Sequence, residues 1–333
     1  MMLFSRLGRL MVLAGLSLLS LTLTPNALAQ SAKPEAEAPE TQIPWTLEGV
    51  TVSASHQGPA MWRVAKDGQE VWILGVPGSI QNNAWDTRGV EKALHEVNIV
   101  YTRPITRLNL FSPQAWGLGV GLLIFHDYNL KHGEDLERLA GPDLWSRTLT
   151  EASFSGVSPK DLHHFRPFFA AFFLDRGADN TQHLGDPEDK VVELATHLHI
   201  KTKPAAVYPG AQLINVIART PDTAMVPCLG VMVDVLRDQR QNLPGVTKAF
   251  ANGDLHTLER TISAQNPYMC IASAAHIDGL AQRSVADTMR DITSALARNE
   301  KAFFVLSLTP LLRQDGVLAR LRAQGYRVDS PGD

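Results

Sequence analysis

The stretch "EVWILGVPGSIQNNAW", Glu70 to Trp85, limits what this chain can fold into more than any other. Its apolar run from Val71 to Val76 reads as a buried strand that ends at Pro77-Gly78. Just upstream, "MWRVAKDGQ" supplies a partner strand from Met61 to Ala65 and a turn at Lys66-Asp67-Gly68, which makes a hairpin with Glu70–Val76. A helix follows over about Thr87 to Val97, where Asp86 or Thr87 can accept the free amides of the first turn. "VNIVYT" is then a second apolar strand. Strand, loop, helix, strand is the grammar of a parallel α/β unit, which places functional loops at the C-terminal ends of its strands.

Helical periodicity dominates the middle of the chain, from about Ser112 to Lys190. It is clearest in "GEDLERLAGPDLWSRTLTEA" and in "LHHFRPFFAAFFLD", which Pro167 starts or kinks. "DPEDKVVELATHLHI" is a helix opened by Asp186-Pro187, and "KPAAVY" reads as a strand. "PDTAMVPCLGVMVDVLRDQRQ", "GDLHTLERTIS" and "VADTMRDITSALARNE" are helical, "KAFFVLSL" is a strongly apolar strand, and "DGVLARLRAQGYRV" is a helix stopped at Gly325 before a last short strand. The expected fold is α/β: a central mixed, largely parallel sheet flanked by helices, with a helix-rich middle insertion.

The N-terminus reads as an export signal. Arg6 and Arg9 precede an apolar run from Leu10 to about Leu23, and Ala27-Leu28-Ala29 gives a small-x-small cleavage site. The run is shorter than the ~18 residues that cross a bilayer, so the chain is not expected to span a membrane once the signal is removed. Residues 1–29 are thus a signal peptide, 30–44 a disordered Pro/Ala/Glu-rich spacer, and 45–333 a single domain. Such a protein is exported, to the periplasm in a Gram-negative cell and to the medium otherwise. Cleavage removes two arginines and takes the formal net charge from -3 to -5. That balance gives a nucleic-acid backbone nothing to bind. Two cysteines, Cys228 and Cys270, permit one disulfide in an oxidising compartment, worth about 4 kcal/mol in the chain-entropy model; the alternative is two separate buried thiols.

The usual catalytic signatures are absent: no G-x-S-x-G, H-E-x-x-H, C-x-x-C or Walker A loop. "WGLGVGLL" has glycines at 117, 119 and 121, one residue too close for a dinucleotide fingerprint. The eleven histidines raise a metal question. His197 and His199 share a face only in a strand, within helical periodicity; His163 and His164 are adjacent and diverge; His126 and His132 flank a polar loop beside Asp127. No metal or cofactor is expected. Arg283 precedes a helix just ahead of the last apolar strand, where a guanidinium can anchor a carboxylate or simply face solvent.

In order along the mature chain, these segments resemble the TraB/GumN family, whose animal relatives include the Tiki proteases. "MWRVAKDGQEVWILGVPGSIQNNAWDTRGVEKALHEVNIV" is similar to the family's opening hairpin, Gly-x-x-His strand tip and following helix. "VVELATHLHIKTKPAAVYPGAQL", "FANGDLHTLER", "LAQRSVADTM" and "AFFVLSLTPLLRQDGVLARLRAQGYRV" resemble its later blocks, the last carrying a second Gly-x-x-His tip. The resemblance implies metal-dependent peptidase chemistry, and the residues depart from it. Gly75 is kept but Gly78 stands at the first histidine, Ser307 at the second glycine and Pro310 at the second histidine. The acid after the second strand falls near Thr102 and the family's Leu-Glu-Thr glutamate at Val207 or Tyr208. Arg283 survives, with Ser284 in place of asparagine. Glycine cannot ligate or transfer a proton, and Pro310 lacks even an amide hydrogen.

The expectation is therefore a non-enzymatic member with a ligand cleft near Gly75, Gly78, Ser79, Thr102, Arg283, Ser307 and Pro310, taking a small ligand or an envelope protein. The rival is a metal-dependent hydrolase whose residues have moved, drawing on His126, Asp127, His163, His164 or Asp315. A third, resting on the family's name alone, is a structural partner in an envelope or surface-polysaccharide assembly. Adjacency of the loops after Val76 and Leu308 is what the resemblance requires.

Overall fold

The computed structural model describes residues 58–81, 85–107, 128–181, 184–262, 266–277 and 279–330. The segments expected as signal peptide (1–29) and spacer (30–44), "WGLGVGLL", His126 and Asp127 lie outside the described residues. The strands are β1 (Met61–Lys66), β2 (Gln69–Val76), β3 (Ile80–Gln81), β4 (Ile99–Thr102), β5 (Ile105–Arg107), β6 (Leu184–Gly185), β7 (Lys201–Pro204), β8 (Val207–Pro209), β9 (Ala302–Ser307) and β10 (Arg327–Asp329). The helices are α1 (Arg88–Leu94), α2 (Leu136–Ala140), α3 (Pro142–Ser155), α4 (Pro159–Leu162), α5 (Pro167–Thr181), α6 (Pro187–His197), α7 (Gly210–Arg219), α8 (Asp222–Ala251), α9 (Leu255–Thr261), α10 (Pro267–Ala274), α11 (Gly279–Ala297), α12 (Leu308–Leu312) and α13 (Val317–Ala323).

The hairpin of β1 and β2 closes through Asp67 and Gly68, both at positive φ (53° and 79°), as the right-handed twist of two paired strands demands of a two-residue turn. The six-stranded sheet runs β10-β1-β2-β9-β4-β7. β2, β9, β4 and β7 are mutually parallel, and β1 runs antiparallel to both its neighbours. The strand–helix–strand unit read from the sequence is present, but β9 sits between β2 and β4. The reason lies in its composition: Ala302 to Leu306 are all buried, and a strand apolar on both faces needs the sheet's interior. Burying Phe303, Phe304 and Val305 contributes about 2 kcal/mol each.

Local differences from the sequence reading have local causes. "KPAAVY" is not one strand: β7 ends at Pro204, which has no amide hydrogen to continue a ladder, and β8 pairs instead with β5. "GEDLERLAGPDLWSRTLTEA" is two helices, broken where Gly141 adopts φ 78° ahead of Pro142. α1 stops at Leu94, because the Glu96 and Val97 amides reach back three residues rather than four. Asp86 accepts the Arg88 amide at the helix start, while Thr87 makes no side-chain cap. Asp186 caps α6 as its position suggests, accepting from the Glu188 amide.

The main core lies along the sheet, with Trp62, Ile73, Leu74, Tyr101, Phe303 and Phe304 at its centre. A second core, built from Leu136, Trp145, Leu174, Leu229 and Val233, joins α2, α3, α5 and α8. Cys228 on α8 and Cys270 on α10 form a disulfide, with Cα atoms 5.4 Å apart, inside a third small cluster with Met225 and Ile271. Among the described residues no single helix is long and apolar enough to cross a membrane; α7 and α8 satisfy that test only as a pair bent by 113°.

Candidate functional site at the ends of two parallel strands

The parallel register of β2 and β9 pairs Gly75 with Leu306 and Val76 with Ser307, so the loops after both strands emerge side by side at the C-terminal edge of the sheet. Beyond them opens a cavity of about 500 Å³. Gly78, Ser79 and Thr309 line it from the strand tips, Arg103 from the end of β4, Asp175, Arg176 and Asp179 from α5, Asp186 from the start of α6, and Tyr268 from α10. Val235, Leu243 and Val246 of α8, with Ile262, form an apolar wall.

The expected cleft residues divide. Gly78, at φ 103° with open space where a side chain would point, and Ser79 belong to the cavity. Gly75 does not line it. Gly75 is buried, and a Cβ there would lie 2.5 Å from Leu308 Cδ2 and 2.9 Å from Trp62 Cζ3, so its role is close packing. Thr102 and Pro310 each lie one residue from a lining position, Arg103 and Thr309 respectively, and Ser307 lies two residues before Thr309. Ser307 precedes α12 without capping it, and Pro310 lies inside that helix. The Thr102 carbonyl accepts from the Ala205 amide.

Arg283 is elsewhere. It lies within α11 rather than before a helix, is exposed, and its Nε donates to the Gly279 carbonyl of its own helix at 3.2 Å. The same stretch of α11 meets β8. Tyr208 donates to Asp287 Oδ2 at 2.8 Å, and burial together with that carboxylate pushes its hydroxyl up to about 12 against the opposing effects of Ser284 and Arg283. None of these residues lines the cavity.

Inside the cavity the charges are unevenly matched. Arg103 is held between Asp186 and Glu188; burial works against its charge, and the two carboxylates outweigh that and raise its pKa. Tyr268 is half exposed, its hydroxyl donates to Asp175 Oδ2 at 2.5 Å, and desolvation and that charge raise its pKa. Asp179 has its carboxyl pKa raised, first by desolvation and then by the neighbouring Asp175 charge, with the Ser79 hydroxyl bond pulling the other way. Sequence reasoning missed Arg103, Asp175, Asp179, Asp186 and Tyr268 as a group. The signal available was the spacing of Asp175, Arg176 and Asp179 on one helical face.

The residues offered for a relocated centre have separate neighbours. His163 lies 3.9 Å from Glu137 and packs on Trp145, His197 lies 3.9 Å from Glu193 on its own helix, and Asp315 is bound by Arg313. Among the described residues no three His, Cys, Asp or Glu side chains are placed to hold a metal ion. A larger cavity, of about 1150 Å³, surrounds Arg166 away from the strand tips. Its central guanidinium is wholly engaged with Asp222 and the Ala218 and Thr220 carbonyls, an arrangement that ties α7 and α8 to the rest.

A family model described as the TraB/PrgY/gumN family matches residues 60–330, from the first strand of the sheet to the last. The chain belongs to this family. No curated protein and no solved structure matches it. The residues at the two strand tips of this TraB/PrgY/gumN member, Gly78, Ser79, Thr309 and Pro310, carry no imidazole, thiol or carboxylate, a donor set that does not fit a metal.

Proposed function

We propose that this chain is an exported TraB/PrgY/gumN-family protein in which the reaction centre is lost and the cavity at the strand tips binds a small ligand. The observation that supports the reading is the side-by-side placement of two strand-tip loops, taken with the positions the resemblance assigns to them. The loops that the resemblance assigns to two histidines stand side by side over a polar cavity of about 500 Å³, and the residues at the histidine positions, Gly78 and Pro310, have no ligating atom in their side chains. A pocket of that size with one apolar wall and a few convergent polar groups is what small-molecule sites look like. The disulfide between Cys228 and Cys270 supports export, since such bonds persist in oxidising compartments, and the mature chain is then expected to begin at Gln30.

The test is metal analysis of protein purified without chelators, beside native mass spectrometry for a co-purifying small molecule and N-terminal sequencing. The reading expects substoichiometric zinc, manganese and cobalt. One equivalent of any of them, retained through dialysis and abolished by substitution at His163, His164 or Asp315, would replace it with the hydrolase of relocated residues.

A further inference from the structure

The two walls of the strand-tip cavity differ in kind. One is apolar, formed by Val235, Leu243, Val246 and Ile262; the other carries Asp175, Arg176 and Asp179 on successive turns of α5. Arg103 is already matched by Asp186 and Glu188, so the charges left open to a ligand are two aspartates and Arg176. Arg176 leans over Phe172, 5.7 Å from the ring centre, and makes no ion pair among the described residues. Among the described residues Asp175 accepts from the Tyr268 hydroxyl and Asp179 from Ser79, both neutral donors that leave the negative charge in place. The ring of Tyr268 is half exposed where α10 borders the cavity, a surface that attracts cations through its π face.

Resting on the ligand-binding reading above, we propose that this cavity takes a small organic cation, with an ammonium group between Asp175 and Asp179 and an apolar body against Val235, Leu243, Val246 and Ile262. An anion would meet two carboxylates, and a neutral apolar molecule would desolvate both carboxylate charges and bring no cation to offset them. An ammonium stabilises the ionised form of Asp179 that burial and Asp175 disfavour. Binding therefore weakens as pH falls and Asp179 takes up a proton. Among the described residues the charged and titratable groups lining the cavity with Asp179 are Asp175 and Arg176 on its own helix, Asp186 on α6, Arg103 after β4 and Tyr268 on α10.

Calorimetric titration of the mature chain with three probes of matched size, phenethylammonium, 3-phenylpropionate and 2-phenylethanol, decides it. The expected result is saturable binding of phenethylammonium alone. Asp179→Asn weakens it about tenfold, and Arg176→Gln tightens it by about two- to threefold, because the second substitution removes a competing cation. The opposite directions guard against a merely misfolded variant. If the propionate or the alcohol binds as tightly as the amine, or if Asp179→Asn leaves amine binding unchanged, the cationic assignment is overturned while the cavity still stands as a ligand site. If none of the three binds, both the assignment and the ligand-binding reading fall.

Discussion

Gly75→Ala adds a single methyl group at a point where the structure leaves no room for one. On the present backbone the new carbon would stand 2.5 Å from Leu308 Cδ2, 2.9 Å from Trp62 Cζ3 and 3.0 Å from Leu311 Cδ2. Carbon atoms in van der Waals contact sit about 3.5–4.0 Å apart, so the closest neighbour must retreat by about 1 Å. All three side chains are buried, Trp62 and Leu308 at 1% exposure and Leu311 at 0%. A leucine methyl can rotate; the indole cannot move without displacing β1. Overpacking of this degree costs about 2 kcal/mol. With an unfolding entropy of about 2.1 cal/mol/K per residue over about 270 folded residues, that cost lowers Tm by about 4 °C. Differential scanning calorimetry reads it directly. The sharper test pairs Gly75→Ala with Leu308→Ala. The leucine truncation alone opens a cavity and costs about 2–5 kcal/mol, but in the double variant the added methyl occupies part of that space, so the two effects should fall short of their sum by about 1 kcal/mol or more. Strict additivity would refute the claim that Gly75 presses on Leu308. A Gly75→Ala protein of unchanged Tm but weakened ligand binding would return Gly75 to the cleft from which the packing removes it.

Reduction of the Cys228–Cys270 bridge, which closes a separation of 42 residues, should lower stability by about 4 kcal/mol in the chain-entropy model; an unchanged denaturation midpoint with and without reductant would count against it. Tyr208 is held protonated to about 12, above its ordinary 10.0, so its contribution to stability is intact below pH 10 and is lost as pH rises through about 12. Tyr208→Phe should accordingly delete a late step from the alkaline tyrosinate absorbance titration, and superimposable curves would show that the bond to Asp287 does not hold the proton. Placing histidine at both Gly78 and Pro310 should not produce metal-dependent peptidase activity while Thr102 remains: no acid is supplied there, and at φ 103° a side chain on residue 78 is strained. Activity in that double variant would show that the missing acid does not matter.

What could be read from the sequence was what neighbouring residues decide together. The hairpin turn at Asp67-Gly68, the cap at Asp186, and the stop of α13 at Gly325 with its positive φ are local matters of conformation and hydrogen bonding. The apolar strand Ala302–Ser307 was visible as a strand, but its seat between β2 and β4 was not, because pairing partners more than two hundred residues apart leave no mark in either segment. The cavity suffered similarly. α5 announces itself through "PFFAAFFLD", whose apolar side buries Ala170, Ala171, Leu174 and Ala178, and that strong signal hid the opposite face bearing Asp175, Arg176 and Asp179. Arg283 shows the converse case: the resemblance sets it at the site, whereas its side chain is exposed and bonds the Gly279 carbonyl of its own helix.

These particulars separate what the sheet needs from what the chemistry needed. Gly75 is favoured by the fold, since even a methyl group there presses on Leu308 and Trp62 where β2 lies beside β9. Gly316 is favoured in the same way, because a Cβ would come within 2.5 Å of the Pro310 carbonyl oxygen. A Cβ on Gly78 would meet no atom within 4 Å, so no neighbour packs where a side chain on residue 78 would project, and the only demand on that position is its φ of 103°. On the proposed reading, the first glycine of the strand tip persists because it holds two strands together, while the imidazole three residues later served only the reaction and its removal costs the fold nothing. A TraB/PrgY/gumN scaffold can then remain recognisable from residue 60 to 330 after its catalytic groups have gone, and the cavity they leave is free to be selected for a different ligand.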